Sequence, residues 1–195
     1  KKKKKKKKNT YLSYIEDKKE EISKERQKEL ECLKKQYYSV TENLSHITHF
    51  DAALFDRIPE DDDFADIYLG VGKRKAKKEI DYKKQERLES GDELFELPSR
   101  LAEDFKYLNA APISVSLKEA NAIGIVGEKT NLYEMFKCMV LDLVSRQYYG
   151  DLRIYTLLED DETKYNWLRY LPHVQGENEH RNIVTNNMSK NNVFE

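Results

Sequence analysis

From Tyr11 to Ile47 the chain carries neither proline nor glycine, and Leu30, Leu33, Tyr37, Val40, Leu44 and Ile47 recur at alternating steps of three and four. That spacing draws one apolar stripe along a helix with the period of a heptad seam. Toward the N-terminus the apolar positions thin to Leu12, Ile15 and Ile22 among Glu, Lys and Arg, which predicts an exposed stalk helix supported by charged pairs one turn apart. After Phe50 the pattern changes. Pro59 and an acidic run lead into the β-favouring stretch Ile67 to Val71, with glycines at Gly70 and Gly72, so a loop entering a strand is expected. Polar residues around Ser90 and Gly91 mark a module boundary. Leu94, Leu97, Leu101, Phe105 and Leu108 then predict a helix, followed by strands at Ile113 to Leu117 and Ala122 to Val126. A short glycine-bearing turn leads to a helix from Asn131 to Tyr148, whose Leu132, Met135, Phe136, Met139, Val140, Leu143 and Val144 follow the 3.6-residue period. With a strand at Leu152 to Leu158 this makes a β-turn-α-β unit, one layer of an α/β sheet. Trp167, Tyr170 and Leu171 plug a short helix into the core, and Pro172 ends it.

Composition narrows the picture. Among 195 residues, 36% are charged and 38% apolar, enough for one modest core. No apolar run approaches the roughly 18 to 20 residues that cross a bilayer, and no signal peptide opens the chain. The formal net charge of -1 hides an asymmetry, because Lys1 to Lys8 supply eight of 35 basic residues and the remainder is acidic. An acidic body argues against a nucleic-acid surface spread across it. The lysine run itself reads as a solvated tail or tag, as a loosely continued helix end, or as a juxtamembrane segment drawn to anionic lipid. Two cysteines, Cys32 and Cys138, lie far apart and suggest neither a disulfide framework nor a zinc site, which fits a reducing cytosolic setting.

The one constellation with the order of a chemical site is IGIVGEKT, Ile123 to Thr130, between an apolar stretch and an amphipathic helix. A phosphate-binding Walker A loop reads G-x-x-x-x-G-K-[ST], its glycines letting backbone amides turn onto phosphate while the lysine reaches the outer phosphates. With Lys129 and Thr130 as the last two residues, glycines belong at 123 and 128, where Ile123 and Glu128 stand instead. Gly124 and Gly127 are three apart, and Glu128 sets a carboxylate against any phosphate. The residues therefore favour a tight structural turn before a capped helix, and the alternative is a nucleotide site built from Gly124, Gly127, Lys129 and Thr130. Glu159, Asp160 and Asp161 follow the Leu152 to Leu158 stretch as a Walker B strand would, but directly after the first helix, out of order.

Other candidates reduce to structure. Glu60 to Asp63 with Asp66 lacks the frame of a calcium loop and reads as a solvated acidic loop. Lys73 to Lys78 has no interleaved aromatic residues and reads as a solvated turn. His46 and His49 lie three apart with no second pair of metal ligands, and His173 has neither a neighbouring nucleophile nor an orienting third group. No catalytic residue and no metal site are expected.

Several of these blocks, in this order, resemble the cytoplasmic part of the EssC/EccC family of type VII secretion ATPases, in the FtsK/SpoIIIE superfamily. YLSYIEDKKEEI, Tyr11 to Ile22, resembles the helix leaving the second transmembrane segment. LFDRIPEDDDFADIYLGVG, Leu54 to Gly72, resembles the family's Leu-Trp-Glu-Arg and Leu-Gly-x-Gly block. PISVSL, AIGIVG, DLRIYTLLED and WLRYLPHV, the last at Trp167 to Val174, resemble the module preceding the motor repeats. Phe55 and Tyr170 replace usual tryptophans, and Tyr68 replaces a usual arginine, which puts in doubt any contact needing those groups.

The resemblance implies an α/β fold in consecutive parts: a basic juxtamembrane tail (1–10), a stalk helix (11–50), a small β-rich module (51–90) and an incomplete, degenerate P-loop-ATPase-like module (91–195). It further implies a noncatalytic coupling segment with no cofactor of its own, at the cytoplasmic face of a bacterial membrane, with ATP and magnesium handled by downstream motor domains. The implied partners are those motor domains, membrane components of the machine, anionic lipid near Lys1 to Lys8, Esx-type substrates indirectly, and a further copy of the chain in a homo-oligomer. Nucleic acid is not among them. Three rival readings are a diverged nucleotide-binding ATPase domain, a DNA-translocase fragment, against which the acidic body argues, and a cytosolic coiled-coil adaptor dimerising through Leu33, Val40 and Leu44.

Overall fold

A computed structural model describes residues 2–82, 93–120, 122–158, 162–176 and 180–194. The expected boundary at Ser90 and Gly91 and the acidic residues 159–161 lie outside the described residues. The architecture is mixed α/β, and the chain divides into two compact units, one of residues 1–37 with 70–113, the other of residues 38–69 with 114–195.

The first unit opens with helix α1 (Lys2–Gln36), which begins within the lysine run. One-turn charged pairs such as Glu25–Lys28 (2.8 Å) line its exposed side, and Lys34 and Lys35 oppose the helix dipole in its last turn. The expected single helix through Ile47 does not form. Ser39 instead starts helix α2 (Val40–His49) with a capping box, in which the Ser39 hydroxyl accepts from the Glu42 amide and Glu42 accepts from the Ser39 amide at 2.7 Å.

Strand β1 (Asp66–Lys75) pairs with strand β2 (Tyr107–Ser116) in an antiparallel ribbon, and both strands run from one unit into the other. In the first unit the Ala76 amide donates to Lys106 O at 3.0 Å, and in the second the Leu117 amide donates to Ala65 O at 3.1 Å. Gly70, at φ 133, holds a conformation that L side chains rarely adopt. The expected turn at Lys73 to Lys78 is half strand: Arg74 donates to Pro112 O at 3.0 Å and lies over the Tyr37 ring, and Lys73 sits 4.5 Å from the Tyr107 ring. Leu30 and Leu33 pack on Ala76, Leu108 and Ala111, so this half of the seam is spent inside the chain. Helix α3 (Glu93–Asp104) ends before Leu108, which faces this core from β2 rather than continuing the helix.

The second unit is built around helix α4 (Lys129–Arg146), close to its expected span. Val140 and Val144 form a core with Leu168, Val174 and Ile183, and Phe136, Ile154, Tyr165 and Trp167 pack around it. Residues 162–170 and 172–174 form 3-10 helices about Leu171. Leu168 is fully buried there, whereas Tyr170, expected in the core, is 87% exposed. The expected strand at Leu152 to Leu158 shrinks to β3 (Thr156–Leu157), parallel to β4 (Ile183–Val184), because its partner offers only two paired residues. The expected strand Ala122 to Val126 is irregular and Val126 lies open to solvent, since no strand among the described residues pairs with it. Helix α5 (Asn187–Phe194) closes the unit.

The formal charge differs between the units, and Lys1 to Lys8 supply most of the positive excess of the first. The first carries 25 basic and 16 acidic residues, a formal +9, and the second 10 basic and 20 acidic, a formal -10.

Candidate functional site

The residues of the Walker-like turn sit together at the start of α4 without forming a cradle. Glu128 is the N-cap in an extended conformation (φ -67, ψ 138) and makes no side-chain cap bond, so the helix lacks the expected capping. Lys129 and Thr130 occupy the exposed first turn, Gly124 faces open space, and a Cβ on Gly127 would meet the Leu132 side chain at 3.6 Å. A phosphate loop is aimed by the end of a strand, and the segment before this one is irregular.

The polar groups that converge lie elsewhere in the same unit. Asp142 falls on the apolar face of α4 beside Val140, Leu143 and Val144, and it is 1% exposed. One carboxylate oxygen accepts from Asn43 Nδ2 of α2 at 3.0 Å, and the other accepts from the Tyr68 amide of β1 at 2.8 Å. Arg146, one turn on and fully buried, approaches Asp142 at 3.6 Å and Asp63 at 3.4 Å. Asp63 also accepts from Arg57 Nε at 2.8 Å, and Arg57 pairs with Asp56 at 2.7 Å.

The physics of this cluster sets its ionisation. Burial pushes the Asp142 carboxyl above its ordinary value, and the Tyr68 amide, Arg146 and Asn43 pull part of that back. Burial lowers Arg57, but Asp56 and Asp63 outweigh it and hold the guanidinium above its ordinary value. Buried charges cost several kcal/mol each unless paired, so the ladder of alternating signs is what makes the arrangement tenable.

Backbone contacts extend the junction. The Phe55 amide donates to Ser145 O at 2.8 Å and the Arg57 amide to Arg146 O at 3.0 Å. His173 Nε2 meets Gln147 O at 2.8 Å, which fixes the proton on Nε2, and Nδ1 is buried with no partner among the described residues. Phe55 lies 6.2 Å from His173 and 5.8 Å from Tyr148, ring to ring. Two blocks that carried the resemblance, Leu54 to Arg57 and Trp167 to Val174, thus meet on one end of α4.

The expected solvated loop at Glu60 to Asp63 is only partly so. Asp63 is the shared acceptor of two arginines, Asp61 accepts from the Ile58 amide at 3.0 Å, and Lys118 donates to Pro59 O and Asp61 O at 2.9 Å each. His46 pairs with Asp51 at 2.7 Å while His49 contacts Ser45 O, so the two do not converge. Among the described residues no cluster of three or more His, Cys, Asp or Glu residues could hold a metal. Asn43, Asp142 and Arg146 escaped sequence reading, although an Asp and an Arg four apart on an apolar helix face are a visible signal of a buried pair.

Comparison with known proteins finds relatives of the chain among type VII secretion proteins. It is 25% identical over 187 residues to the type VII secretion system protein EssC of Staphylococcus aureus, covering 94% of this chain and 12% of that protein. It is 23% identical over 167 residues to the ESX secretion system protein EccC of Geobacillus thermodenitrificans, covering 85% of this chain and 11% of that protein. The chain is thus a relative of the EssC/EccC family, matching a segment of about an eighth of those proteins or less. No protein-family model matches it. Among the described residues no helix is long and apolar enough to cross a membrane.

Proposed function

We propose that this chain is a noncatalytic coupling segment of a membrane-anchored type VII secretion motor that exports small helical Esx-type proteins. The observation that carries the reading is the match to EssC and EccC across most of the chain. It is supported by the departure of Ile123 to Thr130 from a phosphate-binding loop and by a buried polar junction that ties loop to helix without presenting a reactive group. In this reading the segment works at the cytoplasmic face of the membrane, with Lys1 to Lys8 near anionic lipid. Its partners are other domains of the same motor, membrane components of the machine and further copies of itself. ATP and magnesium act in other domains.

Calorimetric titration of the chain with Mg-ATP tests the noncatalytic part. The expected result is no binding heat, identical in Lys129→Ala. Binding that disappears in Lys129→Ala overturns it in favour of a diverged ATPase using Gly124, Gly127, Lys129 and Thr130.

A further inference from the structure

Three features meet in α2. Its N-terminus is closed from within, because the Ser39 and Glu42 capping box lies entirely in residues 39–42. Such a helix keeps its first turn whether or not it is packed on anything. Its docking on α4 has a polar centre: Asn43 is its only buried residue among those described, and its side-chain amide donates to Asp142. Asn43 Oδ1 is buried without a partner among the described residues, and Leu44 is half exposed, so apolar burial adds little beyond the half-buried Val40 and Ile47.

The exit is strained. Phe50 caps α2 in the left-handed conformation at φ 50 and ψ 45, a cost for a bulky residue, and its ring is 81% exposed, so packing does not repay it. Two further contacts lie within the segment and travel with it. Tyr38 meets His46 edge-on at 4.6 Å, and His46 pairs with Asp51, all within residues 38–51. The bond from Tyr38 to Asp56 is long, at 3.4 Å.

We propose that α2 is a strap that undocks from α4 as a local unit while the rest of the second unit stays folded, uncovering the Asp142 and Arg146 pair. Only Tyr37, Tyr38 and Ser39 separate it in sequence from the end of α1. The strap is a property of this chain and stands apart from the secretion reading.

Native-state hydrogen exchange on the 195-residue chain, at stepped low denaturant, tests it. Amides of residues 44–49 are expected to exchange through a denaturant-independent opening, with at least about tenfold less protection than those of residues 142–146. Phe50→Gly relieves the backbone strain and raises protection in α2 by about tenfold, with α4 unchanged. Asn43→Asp sets a second carboxylate against Asp142 and lowers protection in α2 alone. The proposal is overturned if α2 and α4 show the same protection and the same denaturant slope, or if Phe50→Gly shifts both helices equally.

Discussion

The two compact units stabilise themselves by opposite means. In the first, the core is thin, built of Ala76, Leu108 and Ala111 under Leu30 and Leu33, and a nearly buried arginine does the stitching. Arg26 donates to Phe105 O at 2.9 Å and Lys78 O at 2.7 Å, while its neighbour Glu29 accepts from Arg26 and from the Lys77 amide. In the second unit a larger apolar core surrounds charges that pair mainly with one another, Arg57 and Arg146 between Asp56, Asp63 and Asp142. A guanidinium on backbone carbonyls holds the chain path itself. A charge held by another buried charge is tenable only while both are present.

That contrast fixes an order of vulnerability. Arg146→Ala should be the most damaging change, at about 3–5 kcal/mol in urea unfolding, because it leaves the buried Asp142 without its charge partner and takes one of two arginines from Asp63. Leu168→Ala, at a fully buried position, should cost about 3 kcal/mol through the cavity it leaves, with lost exchange protection confined to the second unit. Arg26→Ala should cost about 2 kcal/mol and lower protection in α1 and the Ala76 to Lys78 segment; equal losses in α4 would erase the distinction between the units.

A smaller effect follows pH. Burial lowers the His173 pKa, so the unfolded chain binds this proton more readily than the folded one. The stability tied to neutral His173 is therefore complete above about pH 6.5 and is lost as pH falls toward the lowered folded value, by at most about 1.4 kcal/mol per pH unit. Thermal unfolding between pH 7 and 5 should show this slope, and His173→Gln should flatten it. Smallest of all, Lys129→Ala should leave stability within about 0.5 kcal/mol, since its side chain is exposed and unpartnered among the described residues.

Much of this organisation was legible in the sequence. The long charged helix, the strand around Ile67 to Val71, the strand at Ile113 to Leu117 and α4 all follow from periodicity, and the ordered blocks pointed to EssC and EccC. The break before α2 was hidden because Tyr37 and Val40 continue the apolar stripe across it, although Ser39 and Glu42 spell the capping box. Ala122 to Val126 reads as a strand on local preference alone, which cannot show that no strand among the described residues pairs with it. The Asn43 and Asp142 bond spans 99 residues, and no local pattern encodes a pairing at that distance.

The most direct test of the coupling role uses a full-length type VII secretion protein carrying this segment, with export of an Esx-type substrate and ATP hydrolysis measured together. Weakening the segment's frame by Arg26→Ala is expected to reduce export while hydrolysis continues. Export unchanged in a variant shown to be destabilised, or hydrolysis lost in step with export, would contradict a segment whose work is coupling rather than chemistry.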